Sequence, residues 1–426
     1  MYRDDFTRPR ENLIDSYKKL VSCADSLYII SPVWWFRLTP RTEIFFDEVF
    51  TPGFAYQFIP ITKTYSYPKP FLKNKKLRTY ITHGAPALPV LTLYVNSVND
   101  QDPRHKEYSS RPDNAFGRWR FDKVVVDFKP DVVIDIRDYW MSAYQELSPC
   151  RPYFHWILMP TIDSAPQQQM WMDTYLSADA VFTYSDWGAN VLKEQSSDNV
   201  NYIDTASPGV DLKTFRIKNM QECKQSLGID KDSIIIGSVM RNQKRKLFPN
   251  LLGVIKNLKV LTKNPNIYLY LHTSYPEKQG WSIPELLLEY GVYNNVLFTY
   301  YCPNCKKACA LNYQGANTVC PFCKQKTAGF PNVVRGLTDN QLKNIYNMFD
   351  VYVQYAICEG LGIPQLEAAA CGIPVMSVDY SAMSEVTTKL ETTKIPYAVF
   401  KELETGAFRA VPDDVALIKN IYKYME

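Results

Sequence analysis

The 426-residue sequence has no apolar run of about 20 residues, the length that spans the hydrocarbon of a bilayer, so no transmembrane segment is expected. Its opening, Met1-Tyr2-Arg3-Asp4-Asp5, lacks the basic-then-apolar layout of an export signal. A soluble, cytoplasmic protein is the expectation. Charge of one sign is also missing: 48 basic against 44 acidic residues leave +4, too little to point to an anionic partner. The 30 tyrosines are many but scattered along the chain, and they mark no site. Ten cysteines would allow a disulfide framework, yet five fall between 302 and 323, and that clustering speaks for a metal.

What is present fits a globular protein, with 46% hydrophobic residues and enough length for two domains of about 200 residues each. Near the N-terminus, Leu13, Tyr17, Leu20 and Val21 recur at helical spacing, and Tyr28 to Phe50 reads as an irregular aromatic stretch carrying Pro32, Trp34, Trp35 and Pro40. Leu77 to Gly84 reads as a strand ending in a polar turn, and residues 96–118 as a long surface loop.

From residue 121 the pattern becomes regular. Phe121 to Phe128 leads into buried strands at Asp131 to Ile136 and Tyr153 to Leu158. A helix near 168–177, the strand Ala180 to Tyr184 and a helix capped by Ser185 or Asp186 follow. A second series starts with the strand Ser233 to Val239, the helix Pro249 to Leu261 and strands at 267–271 and 296–299. Strands alternating with helices predict α/β architecture, doubly wound around parallel sheets.

The most informative stretch is 357–379, I-C-E-G-L-G-I-P-Q-L-E-A-A-A-C-G-I-P-V-M-S-V-D. It follows the strand-like run Val351 to Tyr355. Gly360 and Gly362 bracket a loop that admits a ligand close to the backbone. Pro364 suits the first turn of a helix, and Gly372 with Pro374 stops it. The first-turn N–H groups and the positive helix dipole end form an anion site. Glu359 and Glu367 beside it are poor phosphate ligands, but they suit sugar hydroxyls, which donate to carboxylates.

This segment closely resembles the C-terminal signature of retaining glycosyltransferases of the GT-B fold, family four above all, written E-G-x-G-x-P-x-x-E-A-x-x-x-G-x-P-V. The resemblance implies two Rossmann-like domains facing across a cleft. It places Glu359 against the donor sugar, Gly360, Leu361 and Gly362 at the sugar and diphosphate, and Glu367 on the nucleotide ribose. Arg241 and Lys246, five apart after a strand, resemble the pair that grips the donor diphosphate; the competing reading is a solvated basic turn, since Lys244 and Arg245 crowd the same place. Ala180 to Ser185, Ser207-Pro208-Gly209-Val210-Asp211 and Phe215 resemble the end of the family's first domain. The expected domains are therefore 1–215 on the acceptor side and 216–426 for the nucleotide sugar. The glycine-rich loop that usually follows the family's first strand is not found here.

Cys302-Pro303-Asn304-Cys305 and Cys320-Pro321-Phe322-Cys323 are paired C-x-x-C knuckles, the pattern of tetrahedral thiolate coordination. Four thiolates leave no open position, so a structural Zn2+ is expected, with Cys309 spare. The resemblance here is to zinc ribbons, inserted at 301–326 of the second domain. Lys306, Lys307, Lys324 and Lys326 flank the knuckles, and a nucleic-acid contact stands beside a plain brace or dimer contact.

Three residues of the first domain, His83, His155 and Asp163, are candidates for an acceptor or sugar contact, Asp163 foremost. The expected activity is transfer of a sugar from a nucleotide diphosphate sugar to a hydroxyl, with no catalytic metal. The expected acceptor is a hydroxymethylated pyrimidine base in DNA, bound through the ribbon and cleft, as in virus-encoded DNA modification; a viral protein would then work in the host cytoplasm. A polysaccharide, glycolipid or small-molecule acceptor is the main alternative. A catalytically silent nucleotide-sugar or nucleic-acid binding protein and a nucleotide-sugar epimerase are the others.

Overall fold

The computed structural model describes residues 117–197, 199–332 and 335–425. Nearer the N-terminus it describes five strands and the helical residues Asp15, Lys18, Lys19, Ser22 and Cys23. The chain forms two compact units: residues 1–161, 169–183 and 192–209 in one, and 162–168, 184–191 and 210–426 in the other. The short segments 162–168 and 184–191 thus group with the C-terminal unit, where a division into two consecutive blocks at 215 would separate them from it.

In the first unit, the described parallel strands lie in the order Lys76–His83, Ser26–Trp34, Val132–Asp135, His155–Leu158, Ala180–Thr183, Ile203–Thr205; Arg37–Leu38 adds an antiparallel end to Ser26–Trp34. Ser26–Trp34 corrects the reading of an irregular aromatic stretch from Tyr28. It is a nine-residue strand flanked on both sides, and Pro32, unusual inside a sheet, hides it in the sequence. The expected loop at 96–118 falls, up to residue 116, outside the described residues.

Val132–Asp135 is buried along its whole length, as a parallel strand covered on both faces requires. It ends in a fully buried ion pair of Asp135 with Arg137, which Gln145 joins through Asp135 and Tyr144 through Arg137 at 3.0 Å. Arg118–Phe128 is a helix, and Ser185 Oγ accepts the Gly188 N–H at 3.1 Å, so Ser185 caps the helix Asp186–Ser196.

The second unit carries the sheet that positions the site. Its parallel strands run in the spatial order Val296–Cys302, Ile267–His272, Ile234–Val239, Val351–Gln354, Val375–Val378, Thr393–Ile395. Numbered along the chain this is 3-2-1-4-5-6, the doubly wound order, which reverses between Ile234–Val239 and Val351–Gln354. Both faces are covered. Phe248–Thr262 lays Leu251, Leu252, Ile255 and Leu258 on one face with Leu287, Leu417 and Ile421; Cys223, Leu227, Tyr346, Phe349 and Ala368 fill the other. A Cβ at Gly237 would overlap the Phe349 ring, so the strand needs glycine there. Thr338 forms both halves of a capping box with Gln341 at the start of Asp339–Tyr346.

Candidate functional site

In an open α/β sheet the ligand crevice lies outside the carboxyl ends of the strands, where their order reverses. Two loops meet there. Residues 240–247 leave Ile234–Val239, and residues 355–362 leave Val351–Gln354. They are stitched by an antiparallel bridge between Lys246 and Ala356, with Ile357 N–H donating to Arg245 O at 3.0 Å and Leu247 N–H to Tyr355 O at 3.2 Å. The first loop is pinned from the far side. Trp281 N–H donates to Asn242 Oδ1 at 2.8 Å, Asn242 Nδ2 to Trp281 O at 2.9 Å, and the Trp281 indole to Lys246 O at 2.8 Å.

Glu359 is the centre of the arrangement and is only 6% exposed. Its Oε1 contacts Lys246 Nζ and accepts from Gln354 Nε2 at 2.8 Å; its Oε2 accepts from Arg245 Nη1 at 2.9 Å. Gln354 is itself fixed, its Oε1 accepting from the Tyr352 hydroxyl at 2.5 Å. Burial, followed by the Arg245 guanidinium, pushes Lys246 well below the ordinary lysine value, while Cys358 and Asp163 work the other way. A buried carboxylate met by an amine, a guanidinium and an amide has a fixed aim.

Asp163 lies in the segment that groups with this unit. Its Oδ1 accepts from Arg409 Nη1 at 3.0 Å, and its Oδ2 from the Cys358 thiol at 3.3 Å. Arg409, on the hairpin strand Phe408–Pro412, also donates to Cys358 Sγ at 3.0 Å and to Glu402 at 2.9 and 3.1 Å. Burial alone would raise the Asp163 carboxyl, but Arg409 and then Arg245 outweigh it and hold Asp163 below the usual carboxylate range. Burial, with Asp163 second, pushes the Cys358 thiol up.

Of the other expected residues, Arg241 does not join Glu359; it pairs with Glu277 at 3.2 Å, which also accepts from Ser274 Oγ at 2.7 Å. Gly362 has φ 83° and caps the helix Ile363–Ala370, with Pro364 in its first turn. A Cβ there would sit 2.8 Å from Gln365 Nε2, so both conformation and space call for glycine. Gly360 and Leu361 are buried between Glu359 and this helix start. Glu367, one turn in, accepts from the Tyr346 hydroxyl at 2.6 Å.

The histidines stand apart. His83 closes the strand Lys76–His83, and its side chain lies outside the described residues. His155 is a correction: it opens the strand His155–Leu158, so it sits at the amino edge of the sheet, opposite the ligand edge, with its side chain 77% exposed and 3.7 Å from Asp179.

The sequence names Arg245 only as part of a crowded basic turn, and it does not single out Gln354. The signal for Gln354 is its amide within the otherwise apolar and aromatic run Val351 to Ala356.

The four knuckle cysteines converge, all their sulfurs within 4.8 Å of one another, with Cys302–Cys323 and Cys305–Cys320 at 3.6 Å. A tetrahedral ion with metal–sulfur bonds of about 2.3 Å needs sulfurs about 3.8 Å apart, so the set fits one. Backbone N–H groups of Cys305, Lys307 and Gln325 point at the sulfurs of Cys302, Cys305 and Cys323, as suits thiolates. The cluster is continuous with the sheet: Val296–Cys302 runs on from the parallel core and pairs antiparallel with Lys307–Leu311 and Ala328–Gly329.

Residues 331–425 match the family model described as "Glycosyl transferases group 1", and residues 2–99 match one described as "Flavodoxin-like fold". Over 205 residues the chain is 25% identical to D-inositol 3-phosphate glycosyltransferase of Rhodococcus erythropolis, covering 48% of this chain and 39% of that protein. The chain thus spans about two-fifths of that relative's length. Among solved structures it is similar to sucrose-phosphate synthase from Thermosynechococcus elongatus, with TM-score 0.55, 16% identity, and 82% and 80% of the two chains covered. A glycosyltransferase from Rickettsia africae gives TM-score 0.55 at 11% identity over 94% and 88%. At such identities the likeness is one of fold, and the fold is GT-B: two Rossmann-like α/β units, each built on a parallel sheet.

Proposed function

We propose that this chain is a retaining glycosyltransferase of the family-four type, moving a sugar from a nucleotide diphosphate sugar to a hydroxyl. The observation that carries the reading is Glu359, held by Lys246, Arg245 and Gln354 at the point where the strand order reverses, with a glycine-capped helix start immediately after it. The match of 331–425 to a glycosyltransferase model supports it.

In this reading the diphosphate lies at the N-terminus of Ile363–Ala370, with Lys246, Arg245 and Arg241 within the same loop system. Glu367 takes the ribose hydroxyls and Glu359 a sugar hydroxyl. The bond from the anomeric carbon to the phosphate oxygen breaks, and negative charge grows on the diphosphate, where the pre-placed cations stabilise it. The acceptor oxygen bonds to the same face of the anomeric carbon, and its proton passes to the departing phosphate oxygen. Configuration is retained with no nucleophilic carboxylate. Cys302, Cys305, Cys320 and Cys323 would hold a structural Zn2+ and through it brace the hairpin, leaving the ion no open position for catalysis.

For the acceptor we propose the hydroxyl of a hydroxymethylated pyrimidine in DNA, supported by the exposed lysines around the cysteine cluster. The test is label transfer from radiolabelled UDP-, GDP- and ADP-sugars to DNA containing 5-hydroxymethylcytosine or 5-hydroxymethyluracil, with unmodified DNA as control. Label on hydroxymethylated DNA alone supports donor, acceptor and reaction class together. Donor consumption with no label on any DNA keeps the transferase and moves the acceptor to glycans, lipids or small molecules. Conversion of a donor into its epimer without acceptor overturns the transferase reading.

A further inference from the structure

We infer that the hairpin carrying the four-cysteine cluster grips single-stranded nucleic acid at the same sheet edge that carries the Glu359 loop. The placement follows from register. Leu271 pairs with Phe298, so Thr299 is level with His272, the last residue of its strand. Val296–Cys302 continues for three further residues, which carries Cys302 about 10 Å past that edge at about 3.3 Å per residue. Its end is two strands from the end of Ile234–Val239, a lateral distance of about 10 Å at the usual strand spacing. The knuckles therefore stand past the same sheet edge as the loops of the candidate site, two strands to the side and within one unit.

The chemistry follows from composition. Residues 290–338 contain no Asp or Glu, but they hold Lys306, Lys307, Lys324, Lys326 and Arg335. A zinc ion with four thiolates carries two negative charges, so the loaded hairpin still keeps a net charge of about +3. All four lysines are exposed. Lys306 and Lys324 each follow the last cysteine of a knuckle and have φ 55° and 61°. That left-handed backbone favours Gly or Asn, yet both turns carry lysine.

Between the lysines stands Phe322, 39% exposed, with Lys307 Nζ 4.9 Å from its ring centroid, and Val319, 51% exposed, precedes the second knuckle. A flat apolar face among cations is what a stacked base and its flanking phosphates require, and only an unpaired base offers its face freely. That the grip presents an acceptor to Glu359 rests on the glycosyltransferase reading; that it binds nucleic acid does not.

The test is fluorescence anisotropy on the zinc-loaded full chain with a labelled single-stranded oligonucleotide of about 20 nucleotides, its duplex, heparin, polyglutamate and anionic phosphatidylserine vesicles. With four phosphate contacts the slope of log affinity against log salt is about −3 for the single strand. Replacing Lys306, Lys307, Lys324 and Lys326 by Ala flattens the slope, and Phe322→Ala lowers single-strand affinity by roughly 5- to 100-fold with little effect on duplex. Both variants keep one zinc per chain, which separates lost contacts from lost folding. Equal binding of heparin, polyglutamate or vesicles with no effect of Phe322→Ala overturns the inference, as does the absence of salt-dependent binding. Donor hydrolysis measured on the same samples is independent: turnover without oligonucleotide binding removes the grip and leaves the transferase standing.

Discussion

Gln354 and Glu359 are joined by a 2.8 Å hydrogen bond, the strand amide donating to the same carboxylate oxygen that Lys246 contacts. Gln354→Leu leaves that oxygen and the Tyr352 hydroxyl each short of a partner. Losing one buried hydrogen bond to a charge corresponds to a fall in kcat/KM of roughly 10- to 100-fold. Steady-state donor turnover measures it, and an unchanged kcat/KM would show that Gln354 has no part in aiming Glu359.

Lys246 and Glu359 are each 6% exposed, and removing Lys246 leaves Glu359 Oε1 to Gln354 alone while Arg245 still holds Oε2. Lys246→Met is expected to destabilise the chain by about 1–3 kcal/mol, and adding Glu359→Gln to recover part of it. Urea unfolding of the two single variants and the double variant checks this. Additive losses would mean that the two groups do not interact.

Much of this site was legible in the sequence because local rules produce it. The glycine loop, Pro364 and the alanine run specify a loop and helix start without tertiary help, and the C-x-x-C spacing announced the cysteine cluster. What was hidden depends on the partner. Four basic residues in 241–246 look equivalent until the Lys246–Ala356 bridge turns Arg245 toward Glu359 and leaves Arg241 to Glu277. His155 reads as a candidate contact because it is a polar ring in an apolar strand, but the strand begins at His155 and turns that ring to solvent at its amino end. Pro32 disguised a strand whose ladder tolerates it.

Gly237→Ala is expected to cost about 1–3 kcal/mol, because the new methyl meets the Phe349 ring. Phe349→Leu in the same chain makes room. Thermal unfolding of the single and double variants measures both, and a Gly237→Ala protein as stable as the parent would contradict the packing described.

His272 is buried at the end of Ile267–His272, and burial lowers its pKa from 6.5 to about 4. The unfolded chain binds a proton there at higher pH than the folded one. Its contribution is therefore complete above about pH 6.5 and is lost as pH falls toward 4, by about 3 kcal/mol in total. His272→Gln should flatten the stability profile in that window. An unaltered profile would assign the acid sensitivity to other groups.

Zinc analysis of the purified chain should give one ion per chain, and Cys320→Ser should lose it. Because Cys302, Cys309 and Cys320 pack in the same core as Phe298, Tyr300 and Phe330, metal removal by phenanthroline is expected to lower the melting temperature by several degrees. A metal-free chain with full stability would make the cluster a set of ordinary buried thiols.

In the proposed reaction Glu359, braced by Lys246 and Arg245, handles a nucleotide-activated sugar. The most direct measurement is acceptor-free hydrolysis of UDP-, GDP- and ADP-sugars, followed by chromatography for wild type and Glu359→Gln. The expected result is slow release of nucleoside diphosphate from one donor class, reduced at least about 100-fold in the variant, which keeps its zinc and its fold. No turnover of any donor by the wild type, or equal turnover by the variant, would contradict the account.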